Sequence, residues 1–349
     1  MRLFATLILG LLMVSSFTAT AVCGQDVSAD SLPPLFSSHE VLQLTLEADF
    51  RQLRGDRSQD TEYRPGRISF DQPDGSTRTL DVGVKTRGIF RLRRNVCRFP
   101  PLRLNFRTRE AAETVFAGQD KLKLVVHCQD HSDEYEQYVL REYLAYRIYA
   151  SLTPFSFRVR LARITYIQTG ATDSLTKFAF FIEDEDRLAR RTGGTIVDSA
   201  GVSQMALDEE HAALFAIFQY FAGNTDWKVS VGHNVKLLQR GQRFPVAVPY
   251  DLDWSGVVDA PYAVPDPDLN ISDVTQRVFI SPCLTQYDLD RVLTMFRVHK
   301  TEIYGLIQGQ EGLDQRSREQ TLEYFEQFYR CLDDPRCVRR EFVRGCPGG

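Results

Sequence analysis

The sequence lacks any apolar run long enough to cross a bilayer after its first few residues, and that lack leaves no candidate membrane span in the body of the chain. Charge of one sign is also missing. The net charge is only −4 over 349 residues, and nucleic-acid binding as the main role would leave a basic footprint, so that partner is not expected. No C-x-x-C pair occurs, and no His lies at ligand spacing from the C-terminal cysteines, which argues against a structural zinc site. Internal repeats and low-complexity tracts are absent. A hydrophobic fraction of 43% and a charged fraction of 25% exclude wholesale disorder.

What is present begins with Met1-Arg2, the apolar stretch Leu3 to Val14 and then Ala19-Thr20-Ala21. That order reads as a secretory signal peptide over residues 1–21, and it predicts export to the periplasm or the medium. The seven cysteines fit an oxidising compartment. Cleavage after Gly24 would remove Cys23 and leave six, enough for three disulfides. Cys331, Cys337 and Cys346 with Cys283 could staple the C-terminal tail, and Cys97 could pair with Cys128, but spacing alone does not fix the pairing.

Residues 22–38 are polar, contain Pro33-Pro34 and read as a linker. Alternation predicts strands over Val41 to Phe50, Arg67 to Phe70 and Thr79 to Lys85, the last two joined by the turn Gln72-Pro73-Asp74-Gly75. It predicts more at Leu102-Leu104-Phe106, Leu122-Leu124-Val126, Phe157 to Gln168 and Lys177 to Ile182. Glu134 to Ala150 has helical periodicity. After Arg191, helices are expected at Leu207 to Phe221, Asp288 to Ile307 and Ser317 to Tyr329, with short strands at Val235 to Leu238 and Val246 to Tyr250 and a loop from Leu252 to Ile280. The layout is α+β.

Polar chemistry concentrates in Asn224-Thr225-Asp226-Trp227, Gly232-His233-Asn234-Val235-Lys236 and Pro249-Tyr250-Asp251-Leu252-Asp253-Trp254. Carboxylates and amides at the ends of apolar segments suit a hard cation such as magnesium or manganese. Phosphoryl transfer needs one Asp to accept the hydroxyl proton, and an Asn and an Asp to hold metal on the phosphates. The other reading is an Asp network that caps loops. The basic run Arg87, Arg91, Arg93, Arg94 and Arg98 could clamp phosphates, or could be a solvated hairpin. His233 serves either as a ligand or to orient its loop. Trp227 and Trp254 fit packing better than ligand binding.

The order of these motifs resembles the CotH family of atypical protein kinases, named for a spore coat protein. Asp226, His233-Asn234 and Val248-Pro249-Tyr250-Asp251-Leu252-Asp253 are similar to the family's catalytic Asp, its Asn-containing segment and its W/Y-D-x-D element. Lys85-Thr86-Arg87-Gly88 resembles the R-G loop. Lys121-Leu122-Lys123-Leu124, then Asp130 and the Tyr138 to Tyr146 helix, resemble its K-x-x-L strand and following helix, and Phe178 to Glu183 resembles the strand that ends the N-terminal lobe. The likeness spans residues 80–260. No H-R-D, D-F-G or G-x-G-x-x-G occurs, and Asp226 and Asn234 lie eight residues apart, a longer interval than in the ordinary H-R-D-x-x-x-x-N loop.

The resemblance implies a two-lobed protein-kinase-like fold with an N-terminal antiparallel sheet and one main helix over 39–185 and a mostly helical C-terminal lobe over 186–349. It implies transfer of phosphate from ATP, with magnesium or manganese, to Ser or Thr of exported proteins. Asp226 would be the catalytic base. Asn234 and Asp251 would hold metal, with Asp253 as second choice. Arg87 and Lys123 would meet the nucleotide, Lys123 paired with Glu142 or Glu136, and Glu183, at the end of the strand that closes the N-terminal lobe, would join the same cofactor site. An inactive surface or coat protein that binds a partner is the alternative.

Overall fold

Seven strands with alternating apolar residues roll into one closed barrel. The computed structural model describes residues 34–344, so the signal-peptide residues, Cys23 and Cys346 lie outside the described part. The strands are β1 (Leu42–Ala48), β2 (Arg64–Asp71), β3 (Thr77–Thr86), β4 (Leu102–Phe106), β5 (Lys121–Val125), β6 (Val159–Gln168) and β7 (Ser174–Ile182). Around the barrel the order is β1-β2-β3-β4-β5-β7-β6. Neighbours are antiparallel except at the seam, where β1 runs parallel to β6 from Leu42↔Ala162 to Ala48↔Gln168.

That seam overturns the expected two-lobed protein-kinase-like fold with an open N-terminal sheet. Alternation reports that one face of each strand is buried, and that much is correct. It carries no information on whether the first and last edges meet, and here the partner of β1 arrives more than a hundred residues later.

The barrel interior is filled by Leu44, Leu46, Ile68, Phe70, Val82, Val84, Leu104, Phe106, Leu124, Ile164 and Phe181, all buried. Leu35 and Phe36, just ahead of β1, join this core. The β2–β3 turn is held by the Asp74 carboxylate, which accepts from the Ser76 N–H at 2.9 Å, and by Gly75 at φ 82°.

On β7, successive residues are buried on opposite faces. Phe181 points into the barrel, whereas Phe180 and Ile182 face outward. The outward face is covered by α2 (Glu134–Leu152), which is buried nearly all round, polar Gln137, Arg141 and Glu142 included, and therefore sits between layers. Tyr143 and Tyr146 pack on Phe180, with ring centroids 5.8 and 5.9 Å apart, and Tyr149 meets Phe218 at 4.5 Å. Phe218 belongs to α4 (Glu209–Ala222), which packs with α5 (Gln286–Gln308) and α6 (Gln315–Leu332). Phe221 and Phe325 stack at 4.1 Å in that helical core. The short helices α1 (Phe50–Gly55), α3 (Glu185–Arg191) and α7 (Pro335–Val338) cap connections. A second sheet has the order β10 (Val246–Pro249), β9 (Val235–Gln239), β8 (Thr195–Val197), and β8 is an element that alternation did not predict.

Two disulfides are formed among the described residues. Cys97–Cys128 has a Cα separation of 4.7 Å, and Cys331–Cys337 closes the end of α6 with 5.2 Å. Cys283 is disulfide-bonded too. These bonds are the chemistry of an oxidising compartment. No described helix is long and apolar enough to cross a membrane.

Candidate functional site

The loop that carries Asp226 is shaped by the way α4 stops. Gly223 ends the helix at φ 68°, and a Cβ there would lie 1.9 Å from the Tyr324 hydroxyl, so only glycine fits. The chain then turns into Asn224, which is buried. Its side-chain nitrogen donates to Gln219 Oε1 at 3.0 Å, and its Oδ1 accepts from the Asp226 N–H at 3.1 Å. Trp227 donates its indole N–H to the Asn224 carbonyl at 3.1 Å and sets its ring edge-on against Phe215. Trp227 is thus a packing residue, as its apolar body suggests.

A tight return brings the second motif back to the first. Lys228 and His233 exchange both backbone hydrogen bonds, at 2.9 and 3.0 Å, around Gly232 at φ 63°. Asn234 follows in the left-handed region at φ 51°, and its side-chain nitrogen donates to both the carbonyl and Oδ2 of Asp226, each at 2.8 Å. His233 Nε2 lies 2.8 Å from Asp226 Oδ1. A residue other than Gly at positive φ is uncommon. Asn234 and Asp251, at φ 54°, are two of the four such residues described, and both belong to this site. Their strain is compensated by hydrogen bonds: Asn234 O accepts from the Tyr250 N–H at 3.0 Å, and Asp251 N–H donates to the Tyr146 hydroxyl at 2.8 Å.

Asp251 and Asp253 follow the end of β10 and meet Glu142 of α2. Ligand oxygens of the three carboxylates lie within 4.8 Å of one another. Arg91, from the turn Phe90–Leu92, sits among them at 3.2 Å from Asp251, 3.4 Å from Asp253 and 3.9 Å from Glu142. One guanidinium does not balance three carboxylates. Burial pushes Asp253 up to about 6, with Arg91 pulling the other way and Asp251 adding to the rise. Burial raises Glu142 well above the carboxylate range, against the pull of Arg91 and with repulsion from Asp253 and Asp251. Glu142 Oε1 is buried with no hydrogen-bond partner. An orphaned carboxylate oxygen beside two more carboxylates is the donor set a hard divalent cation takes, so the residues fit magnesium or manganese.

Arg87 donates to the Tyr250 hydroxyl at 2.9 Å. The Tyr250 ring in turn lies under two ammonium groups, Lys123 at 4.4 Å and Lys236 at 5.4 Å from its centroid. Both lysines share Glu185, Lys123 at 2.8 Å and Lys236 at 3.2 Å. The expected pairing of Lys123 with Glu142 or Glu136 is not made: Glu142 faces Arg91, and Glu136 holds Lys177 at 2.7 Å. Glu183 is fully buried and stands apart. Its carboxylate takes Arg191 at 2.9 Å and the Arg158 N–H at 3.0 Å, tying α3 to the strand ends.

Arg87, Arg91, Asp226, Asn234, Asp251 and Asp253 thus border one cleft of about 450 Å³. Arg91 as hub, the Tyr146 hydroxyl that accepts from the Asp251 N–H, the Tyr262 hydroxyl hydrogen-bonded to Asp253, and the Lys236–Glu185 pair escape sequence reasoning. Lys236 stands two residues after Asn234 in the quoted motif, and alternation on β9 puts it on the opposite face from Val235 and Leu237. That was the one available signal. Compared with known protein families and with curated proteins, the chain matches none.

Proposed function

We propose that the chain is an exported phosphotransferase that moves the terminal phosphoryl group of ATP to a Ser or Thr hydroxyl of a protein in the periplasm or the medium. The observation that carries this reading is the convergence of Asp226, Asn234, Asp251 and Asp253 on one cleft with Arg87 and Arg91, with the buried Glu142 carboxylate beside Asp251 and Asp253. The reaction class itself comes from the motif resemblance, and the barrel architecture is a scaffold on which such a site is grafted.

In the proposed reaction the acceptor oxygen forms a bond to the γ-phosphorus, the bond to the bridging oxygen breaks, and ADP leaves. The hydroxyl proton passes to the Asp226 carboxylate, which His233 and Asn234 hold in place. Glu142, Asp251 and Asp253 would hold a divalent cation, which supplies neutralisation of phosphate charge. Arg87 and Lys123 present fixed positive charge beside Tyr250. The test is γ-phosphate incorporation into candidate exported proteins by the oxidised chain with magnesium or manganese. Incorporation that disappears in both Asp226→Ala and Asp251→Ala supports the reading, and equal incorporation in both variants defeats it.

One observation favours the alternative, a binding protein without catalysis. The Arg91 guanidinium already lies among the three carboxylates that would hold the cation. A thermal-shift titration separates the two. A rise in Tm with ATP that requires the metal supports the phosphotransferase, and no rise with any nucleotide or metal favours the binding protein.

A further inference from the structure

Five residues along α2 from Glu142, the charge imbalance reverses sign. Arg147 of α2, Arg158 just before β6 and Arg160 on β6 gather with His39, which precedes β1. His39, Arg147, Ser151, Arg158 and Glu302 line a depression of about 170 Å³. That volume equals roughly five to six waters at about 30 Å³ each.

None of the three arginines has a carboxylate within ion-pairing distance among the described residues. The nearby acids are committed or too far. Glu183 is held by Arg191 at 2.9 Å, and Glu302 by His299 at 2.9 Å, while Glu40 reaches Arg160 only through space. Arg147 donates to the Tyr143 hydroxyl at 3.1 Å, a neutral partner. Arg160, whose charge reaches His39 but which is not among the lining residues, is only 6% exposed, and its Nε and Nη1 have no hydrogen-bond partner. A buried guanidinium with unmet donors is costly, and the usual remedy is an anion.

We infer that this depression is an oxyanion site that takes a phosphate-type dianion, inorganic phosphate or a small phosphomonoester, on Arg147 and Arg158, which line it, with the Arg160 charge close by. The neighbouring electrostatics agree. Burial, then Arg147, Arg158 and Arg160, push His39 down to about 4, so it is neutral at pH 7 and can give or take a hydrogen bond. Guanidinium groups are suited to the task because their forked N–H donors match two oxygens of a tetrahedral anion at once. The site is separate from the cleft at Asp226 and does not depend on the proposed reaction.

The test is isothermal titration of inorganic phosphate into the oxidised chain in EDTA, so that no divalent cation bridges phosphate to the acidic cleft. The expected result is one saturable site for which sulfate competes. Arg158→Gln and Arg147→Gln each weaken it by about tenfold or more, the loss of one charge-assisted contact. Arg87→Gln in the cleft leaves it unchanged. Glycerol 3-phosphate in place of phosphate tells the sources apart: equal affinity means that the site accepts phosphate on a larger molecule, and no binding means that it takes the free ion. Should Arg158→Gln not fold, Arg147→Gln on the half-buried flank of α2 gives the same reading. Phosphate heats that survive both arginine substitutions, that vanish only with Arg87→Gln, or that never saturate would overturn the inference.

Discussion

Two clusters on one helix face opposite electrostatic problems. Around Glu142, three carboxylates crowd together and the fold supplies a partial remedy from within, because Arg91 reaches all three. Around Arg147, three guanidinium groups gather, and although Glu302 lines the same depression, no carboxylate forms an ion pair with them among the described residues. Both clusters concentrate like charge at the surface of the barrel's helical cover. The difference teaches that an unbalanced group is not one phenomenon. With an internal counter-ion, the site can exist empty and exchange that partner for a stronger one. Without it, the groups depend on solvent or a ligand.

Several substitutions break or sharpen this contrast. The largest effect belongs to Asp226→Ala, for which phosphoryl transfer should fall by about 10²–10⁴-fold while Tm stays within a few degrees of the parent; a kinetic assay beside calorimetry checks both. Next is Arg91→Met, which leaves the carboxylates without their cation and should cost roughly 3–5 kcal/mol in metal-free denaturation. Millimolar magnesium or manganese should recover much of that loss, and Arg147→Met should show no such recovery. Replacing Cys97 and Cys128 by Ser should cost roughly 3–4 kcal/mol for a loop of this length. That disulfide holds the segment just after Arg91, so phosphate binding at the arginine cluster should persist.

Asp253→Asn tests the acidic side through pH. In the folded chain Asp253 titrates at about 6 against 3.8 when unfolded, so the folded state binds more protons between those values. The stability from this group is therefore complete below about pH 4 and is lost as pH rises through 6. Denaturation of the metal-free protein at pH 4.5 and 7 should show this slope, on the order of 2 kcal/mol, and Asp253→Asn should flatten it. Metal affinity should climb over the same interval, because protons and cation compete for the carboxylate. The smallest effect is expected from Lys236→Met, about 1 kcal/mol or less, since Lys123 still holds Glu185. An equally small effect of Lys123→Met on nucleotide binding would remove that lysine from the site.

Local structure was legible in the sequence because it is written in local periodicity. The strand ends at Phe106, Gln168 and Ile182 and the start of α2 at Glu134 fall where alternation and helical spacing place them. Closure of the barrel was not legible, since the β1–β6 pairing depends on residues far apart in sequence. The same divide runs through the site. Asp226, Asn234, Asp251 and Asp253 stand out as motifs and do converge. The partner of Lys123 was misassigned because α3 places Glu185 there, while Glu142 faces the other way toward Arg91. Glu183, expected to end its strand, follows the last residue of β7, and its carboxylate is consumed by Arg191.

The parallel seam between β1 and β6 has a consequence for how other chains can attach. A sheet with open edges offers its unpaired backbone as a template, and a partner can join it by adding a strand. Closing the ring removes that mode of association from the barrel altogether. The described strands with one free side are then β8 and β10. All four residues of β10 are buried, and β8 is three residues long, too short to register an incoming strand. Among the described residues, recruitment of a protein partner would therefore read side chains on loops and helices, which makes selection there a matter of surface chemistry and not of backbone pairing.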